Sequence, residues 1–278
     1  MSFKSFAYAK SYLYGIYPFL PWSIKIMPEK TYEPNRFFLK DTIRQRIDFL
    51  QTAQHRRIPP PPLQKPCSPD TPRVELPNGQ DALDRLAHLS VGKAIARRES
   101  VRAFTPALLT LEELTMLLWA TQGVRTVLSP VCALRTVPSA GARHSFETYL
   151  AVNHVETLAP GVYRYLPFDG TLAQLSKDGH IGQRASEACL GQRFVADAAV
   201  TFFWTTIPER MEWRYSEAAH KVIAIDVGHV CQNLYLACQS IGAGTCAIAA
   251  YDQDACDQLL GVDGIEEFTL YIAPVGKC

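Results

Sequence analysis

"YSEAAHKVIAIDVGHVCQNLYLACQSIG" (residues 215–242) decides how the rest of the chain is read. Apolar side chains recur through it at helical intervals, Cys231 and Cys238 lie one heptad apart as core residues do, and Gly242 offers a left-handed cap. The stretch predicts a helix from about Tyr215 to Ile241, the longest in the chain. Runs of another character stand on either side. "AAVTFFWTTI" (198–207) precedes it, "EFTLYIAPVG" (267–276) follows it, and "ETYLAVN" (147–153) and "GVYRYLP" (161–167) lie further upstream. All four are rich in the β-branched and aromatic residues that suit strands. A second helix, "TLEELTMLLWATQG" (110–123), opens with Thr110 and Glu113 in capping-box spacing and stops at Gly123. Strands separated by long helices predict an α+β domain whose buried strands lie between helical layers.

With 278 residues, 47% of them hydrophobic, the chain can bury a large core. A formal net charge of +1 gives no general attraction to nucleic acid or to a membrane surface, so small molecules or proteins are the expected partners. The eight cysteines show no C-x-x-C pair and no spacing with histidine that would build a metal site; they read as reduced, buried thiols of a cytoplasmic protein. "FAYAKSYLYGIYPFLPWSIKIM" (6–27) is apolar, but its charge-free run from Ser11 to Ile24 is too short to span a membrane and contains Pro18 and Pro21. It reads as an amphipathic or disordered leader, or as an upstream extension if translation starts at Met27. A helical run follows at "LKDTIRQRIDFLQTA" (39–53), and then "IPPPPLQKPCSPDTPRVELP" (58–77) places eight prolines in twenty residues, which forces an extended strap. The expected division is an N-terminal arm and linker over residues 1–78 and a compact domain over 79–278.

"ARRESVRAF" (96–104) concentrates positive charge in a chain whose charges otherwise almost cancel. In an extended strand Arg98, Ser100 and Arg102 share one face, and two guanidiniums with a hydroxyl make a phosphate cradle. After this run come a helix ending in "LLWATQGV", then "RTVPSAGARHSFETYL" (135–150), "GHVCQNLYLACQSIGAGTCAIAAYD" (228–252) and a terminal "APVGK". Taken together and in this order, these motifs resemble the flavin-dependent nitroreductase family, and within it the SagB/ThcOx-type dehydrogenases. The resemblance covers residues 80–278.

That resemblance implies a nitroreductase-like fold, a central, mostly antiparallel sheet flanked by helices, acting as a homodimer with its active sites at the interface. It implies FMN as cofactor, with Arg98, Ser100 and Arg102 contacting its phosphate and ring edge and Lys277 as a late basic residue reaching the phosphate. Pro138, Ser139, Ala140 and Gly141 match the loop that covers the flavin of the other subunit. Ala247, Ala249 and Ala250 match the segment facing flavin N5, and Gln192 is a partner for the pyrimidine edge. In azoline-oxidising relatives a Lys-Tyr pair stands where this chain has Arg214-Tyr215. Arginine, with a pKa above ~12, is a poor general base. Arg214 is therefore expected to bind a carboxylate or polarise a carbonyl, with Tyr215 as the acid/base group.

The function implied is a two-electron dehydrogenase passing hydride from an organic substrate, a small molecule or a peptide, to flavin N5. One alternative is an NAD(P)H-dependent reductase of nitro, quinone or similar electrophiles; another is a flavin-binding accessory subunit of a peptide-modifying complex. Glu217 and Lys221 are an ion pair on the helix surface, Asp226 and His229 a buried hydrogen-bonded pair, and His144 and Glu147 supports of the 138–141 loop.

Overall fold

The computed structural model describes residues 36–278, so the apolar stretch 6–27 and Met27 lie outside the described residues. Contacts divide the chain after Lys40. Residues 36–40 form a helical turn closed by hydrogen bonds from Leu39 N to Arg36 O and from Lys40 N to Phe37 O. The second unit is Asp41–Cys278.

Nine strands are described in this unit: β1 (Arg73–Glu75), β2 (Val124–Ser129), β3 (Cys132–Arg135), β4 (Phe146–Val152), β5 (Gly161–Leu166), β6 (Thr171–Gln174), β7 (Val200–Thr206), β8 (Ala243–Thr245) and β9 (Phe268–Lys277). Seven of them form one sheet in the order β1-β6-β5-β4-β7-β9-β8, antiparallel at every pairing, while β2 and β3 make a separate hairpin. The α-helices are α1 (Gly79–Leu86), α2 (Val91–Arg97), α3 (Leu111–Gln122), α4 (Ile181–Ala188), α5 (Arg193–Ala196), α6 (Glu209–Tyr215), α7 (Ala219–Cys238) and α8 (Gln253–Leu260).

Because strand side chains alternate between faces, Phe202 and Trp204 of β7 pack into one core with Leu114, Leu117 and Leu118 of α3 and Val230 and Leu234 of α7. Phe203, between them in sequence, points to the other face and joins Ile181 and Ala185 of α4 and Cys256 and Leu260 of α8. The sheet is thus buried on both sides, as the alternation of strand and helix periods predicted. Each fully buried leucine or phenylalanine contributes about 2 kcal/mol. Helix α3 begins as read: Thr110 accepts from Glu113 N and the Glu113 carboxylate accepts from Thr110 N.

Two helix predictions need correction. The long helix is not continuous from Tyr215, because Ser216 adopts a left-handed φ of 49° and a 3-10 turn, Ser216–Ala218, separates α6 from α7. Lys221 therefore does not sit one regular turn after Glu217, and the ion pair expected between them is absent among the described residues. Residues 39–53 form two short 3-10 turns, Asp41–Arg46 and Phe49–Gln51, in place of a helical run.

The proline-rich stretch lies along the domain. Prolines remove backbone donors, so the stretch chiefly offers carbonyls, and arginines beneath it supply the protons. Arg135 donates to Leu63 O at 2.9 Å, and Arg164 to Lys65 O and Pro66 O at 3.2 and 2.9 Å.

Candidate functional site

Residues 98–104 run extended against β8, with Ser100 bridging Thr245 in parallel and Val101 N donating to Thr245 O at 3.0 Å. The approach is close because Gly244 has no side chain; a Cβ there would stand 2.6 Å from Val101 Cβ. The side chain that ties this segment down is Tyr235, late on α7. Its hydroxyl accepts from Ala247 N at 2.9 Å and lies 3.1 Å from Ser100 Oγ, while the Arg98 guanidinium stacks 5.3 Å above its ring. One phenol therefore joins the Arg98–Arg102 face to the start of the 247–250 segment. Sequence reading missed Tyr235, because it falls in the buried row of an apolar helix and its partner Ser100 lies 135 positions away.

Ile248 exchanges backbone hydrogen bonds with Ile272, which leaves Ala249 and Ala250 exposed and Ala247 half-buried beside them. Gln192 donates to Ala250 O at 3.0 Å and to Cys189 O at 2.9 Å, so it borders the same segment. Arg98 and Arg102 have no carboxylate partner among the described residues. Lys277 differs: its ammonium pairs with Glu113 and donates to Ile241 O at 2.7 Å, so its charge is already engaged.

The second group gathers at the other end of α7. The 138–141 loop is pinned by Asp226, whose carboxylate accepts from Ala140 N at 3.1 Å and from the Ser139 hydroxyl. Burial raises the Asp226 pKa, and those two hydrogen bonds oppose the rise. His229 is exposed, so the buried Asp226–His229 hydrogen bond expected from spacing gives way to a carboxylate that serves the loop. Ser139 Oγ also accepts from His144 N at 3.0 Å. Gly141, at φ 60°, lies against the Arg214-Tyr215 pair: a Cβ there would be 2.7 Å from the Tyr215 hydroxyl and 2.8 Å from Arg214 Cδ. The Arg214 guanidinium in turn stacks on the Tyr215 ring at 5.6 Å. Pro138, Ser139, Ala140, Gly141, Arg214 and Tyr215 thus form one constellation.

Buried charges hold it in place. Arg210 pairs with Glu147 at 2.6 Å, both only 2% exposed, and Glu147 also accepts from Lys65 N. Removing either partner would leave an uncompensated charge in the core. Arg143 donates to Arg210 O and stacks on Trp213, while burial, helped by Arg135, lowers the His144 pKa to about 3 and keeps that ring neutral.

Asp226 and Tyr235 face opposite sides of α7, about 13 Å apart along its axis. Between them runs an exposed stripe of Ala224, Ile225, Gly228, His229 and Gln232. A cavity of 590 Å³ opens beside Arg214 and Tyr215, walled on its other side by residues of the 49–57 turn.

Residues 95–277 match the Nitroreductase family. A protein of Methanocaldococcus jannaschii named as a nitroreductase is 31% identical over 208 residues, which span 75% of this chain and 98% of that one. Two solved structures named as nitroreductases share the fold: one from Ralstonia eutropha (TM-score 0.61, 22% identity, 79% of this chain, 98% of that one), and one from Anabaena variabilis (0.60, 23%, 77%), of whose length this chain spans 45%. The Escherichia coli microcin synthetase McbBCD complex with truncated pro-MccB17 bound contains a chain of like fold, with a TM-score of 0.55, 17% identity and coverage of 88% of this chain and 94% of that one.

Proposed function

As this chain belongs to the nitroreductase family, we propose that it is an FMN-dependent oxidoreductase of the SagB/ThcOx type, working as a homodimer. The observation that carries the reading is the Tyr235 clamp, which holds Ser100 and Arg98, in a segment whose Arg98 and Arg102 have no carboxylate partner among the described residues, beside Ala247, Ala249 and Ala250. Those residues fit the group: Arg98 and Arg102 would hold a phosphate, Ser100 would hydrogen-bond beside them, and Ala247, Ala249 and Ala250 offer backbone to a planar ring without side-chain obstruction. Bound there, FMN would supply two-electron hydride chemistry at N5.

The rest belongs to the protein's own residues. Tyr215 holds or moves a proton at the substrate atom next to the reacting carbon, and Arg214, a fixed cation, holds developing negative charge. The dimer reading rests on α7. One protomer's flavin-facing strand and its 138–141 loop attach to opposite faces of that helix, so a second copy docked on the exposed stripe would bring one protomer's loop to the other's strand.

Arginine in the place of lysine favours a second reading, a reductase drawing electrons from NAD(P)H. Anaerobic absorbance near 450 nm separates the two. For the dehydrogenase, the purified yellow protein is bleached by dithionite and not by NADH or NADPH; rapid bleaching by either nucleotide makes it the reductase. A protein that binds no FMN refutes both.

A further inference from the structure

The cavity beside Arg214 and Tyr215 is also lined by His55 and Arg57, which the hydride transfer proposed above leaves unused. We propose that it receives the carboxylate of the substrate, so that the protein acts on an organic acid; the inference rests on the oxidoreductase reading above.

Three cationic or protonatable side chains line the cavity from two separate elements: Arg214 at the end of α6, and His55 and Arg57 from the turn opposite. Among the described residues no carboxylate lines it, and Glu212, two residues before Arg214, is engaged by His220 at 2.7 Å. Phe49 and the Tyr215 ring add apolar wall. A volume of 590 Å³ suits an organic molecule with a body as well as a charge, not a bare ion. The donors are side chains, with guanidinium forks matched to the two oxygens of a carboxylate.

Backbone strain points to the same place. Six described non-glycine residues have left-handed φ, and four of them surround this cavity or the loop beside it: Arg57 (60°), Ala142 (53°), His144 (48°) and Ser216 (49°). Such conformations cost energy and persist where the surroundings over-determine them. At Arg57 the surroundings do so through Trp213, whose carbonyl accepts from Gln54 N at 2.9 Å and whose indole donates to Ile58 O at 2.7 Å, holding the chain on both sides of it. The turn lies outside residues 95–277, the part that matches the family.

The test is calorimetric titration of the full-length protein as purified, with benzoate, its neutral analogue benzamide, and inorganic phosphate at equal ionic strength. Benzoate is expected to bind once per protomer and benzamide at least about tenfold more weakly. Arg57→Gln should weaken benzoate about tenfold with the melting temperature unmoved, and Arg57→Lys should recover part of the loss. If Arg57→Gln fails to fold, Arg214→Gln serves in the same titration. No benzoate binding, equal binding of benzamide, phosphate binding as tight as benzoate and likewise weakened by Arg57→Gln, or indifference to the substitutions would each overturn the inference. Flavin content measured on the same sample keeps the two ideas apart: benzoate binding without flavin sinks the oxidoreductase reading and leaves only a carboxylate site, and flavin without benzoate binding sinks this inference alone.

Discussion

The Tyr235 hydroxyl lies 3.1 Å from Ser100 Oγ and accepts the Ala247 amide at 2.9 Å, so a residue of α7 fixes both sides of the candidate flavin site. Tyr235→Phe deletes the acceptor and keeps the ring beneath Arg98. The half-buried Ala247 amide loses its partner, which costs roughly 1–3 kcal/mol, and the Arg98–Arg102 strand loses its tether. Flavin affinity, read by quenching of FMN fluorescence, should fall about tenfold or more, with a small drop in melting temperature. Unchanged affinity would remove Tyr235 from the site.

Replacing both Arg98 and Arg102 with alanine removes two cations that pair with no carboxylate among the described residues. The fold should stay intact by circular dichroism while FMN is lost on gel filtration. Flavin retained at one per protomer refutes the phosphate assignment.

Gly141→Ala forces a side chain into a left-handed position 2.7 Å from the Tyr215 hydroxyl. The strain is on the order of 1–2 kcal/mol, and the loop or Tyr215 must move to relieve it. Turnover should fall at unchanged flavin content. Loss of flavin with turnover per bound flavin unchanged would place the loop in cofactor retention only.

Gly228→Glu tests the dimer. Among the described residues nothing lies within 4 Å of a Cβ built at Gly228, and the position is exposed on α7, so the protomer should be unharmed or stabilised by up to about 1 kcal/mol. Light scattering should then report a monomer, and flavin should be lost with the dimer. A dimer of unchanged mass would show that α7 is not the contact.

His144 makes stability depend on pH. Its folded pKa of about 3 lies below the ordinary 6.5, so between those values the unfolded chain binds a proton that the native state refuses. The contribution is fully present above pH 6.5 and is lost as pH falls toward 3, at roughly 1 kcal/mol per pH unit. Urea unfolding at pH 7, 6 and 5 should show this slope, and His144→Gln should flatten it. An identical slope in the variant would assign the acid sensitivity elsewhere.

What was legible in the sequence follows from the range of the forces involved. The α3 capping box and the alternation of Phe202 and Phe203 are local, so period and spacing revealed them. The Ser216 break was hidden because serine carries no mark of positive φ, and the 39–53 run failed because its apolar residues imitate a helix without a core to bury them. Arg98, Ser100 and Arg102 could be picked out as a charged pattern, but Tyr235 could not, since only the fold brings it to Ser100. Lys277 was read by its place near the terminus, whereas its charge is held by Glu113, a partner 164 positions away.

Both edges of the seven-stranded sheet are closed. β1 is three residues long, with Pro72 before it and Pro77 soon after, which leaves little for another strand to pair with. β8 is equally short, and residues 98–104 cover it through the Ser100–Thr245 bridge. The segment with the candidate phosphate arginines is therefore also the guard of an edge. A chain that loses its hold on that segment exposes unpaired backbone at β8, so its characteristic failure would be self-association through the sheet, with aggregation preceding global unfolding.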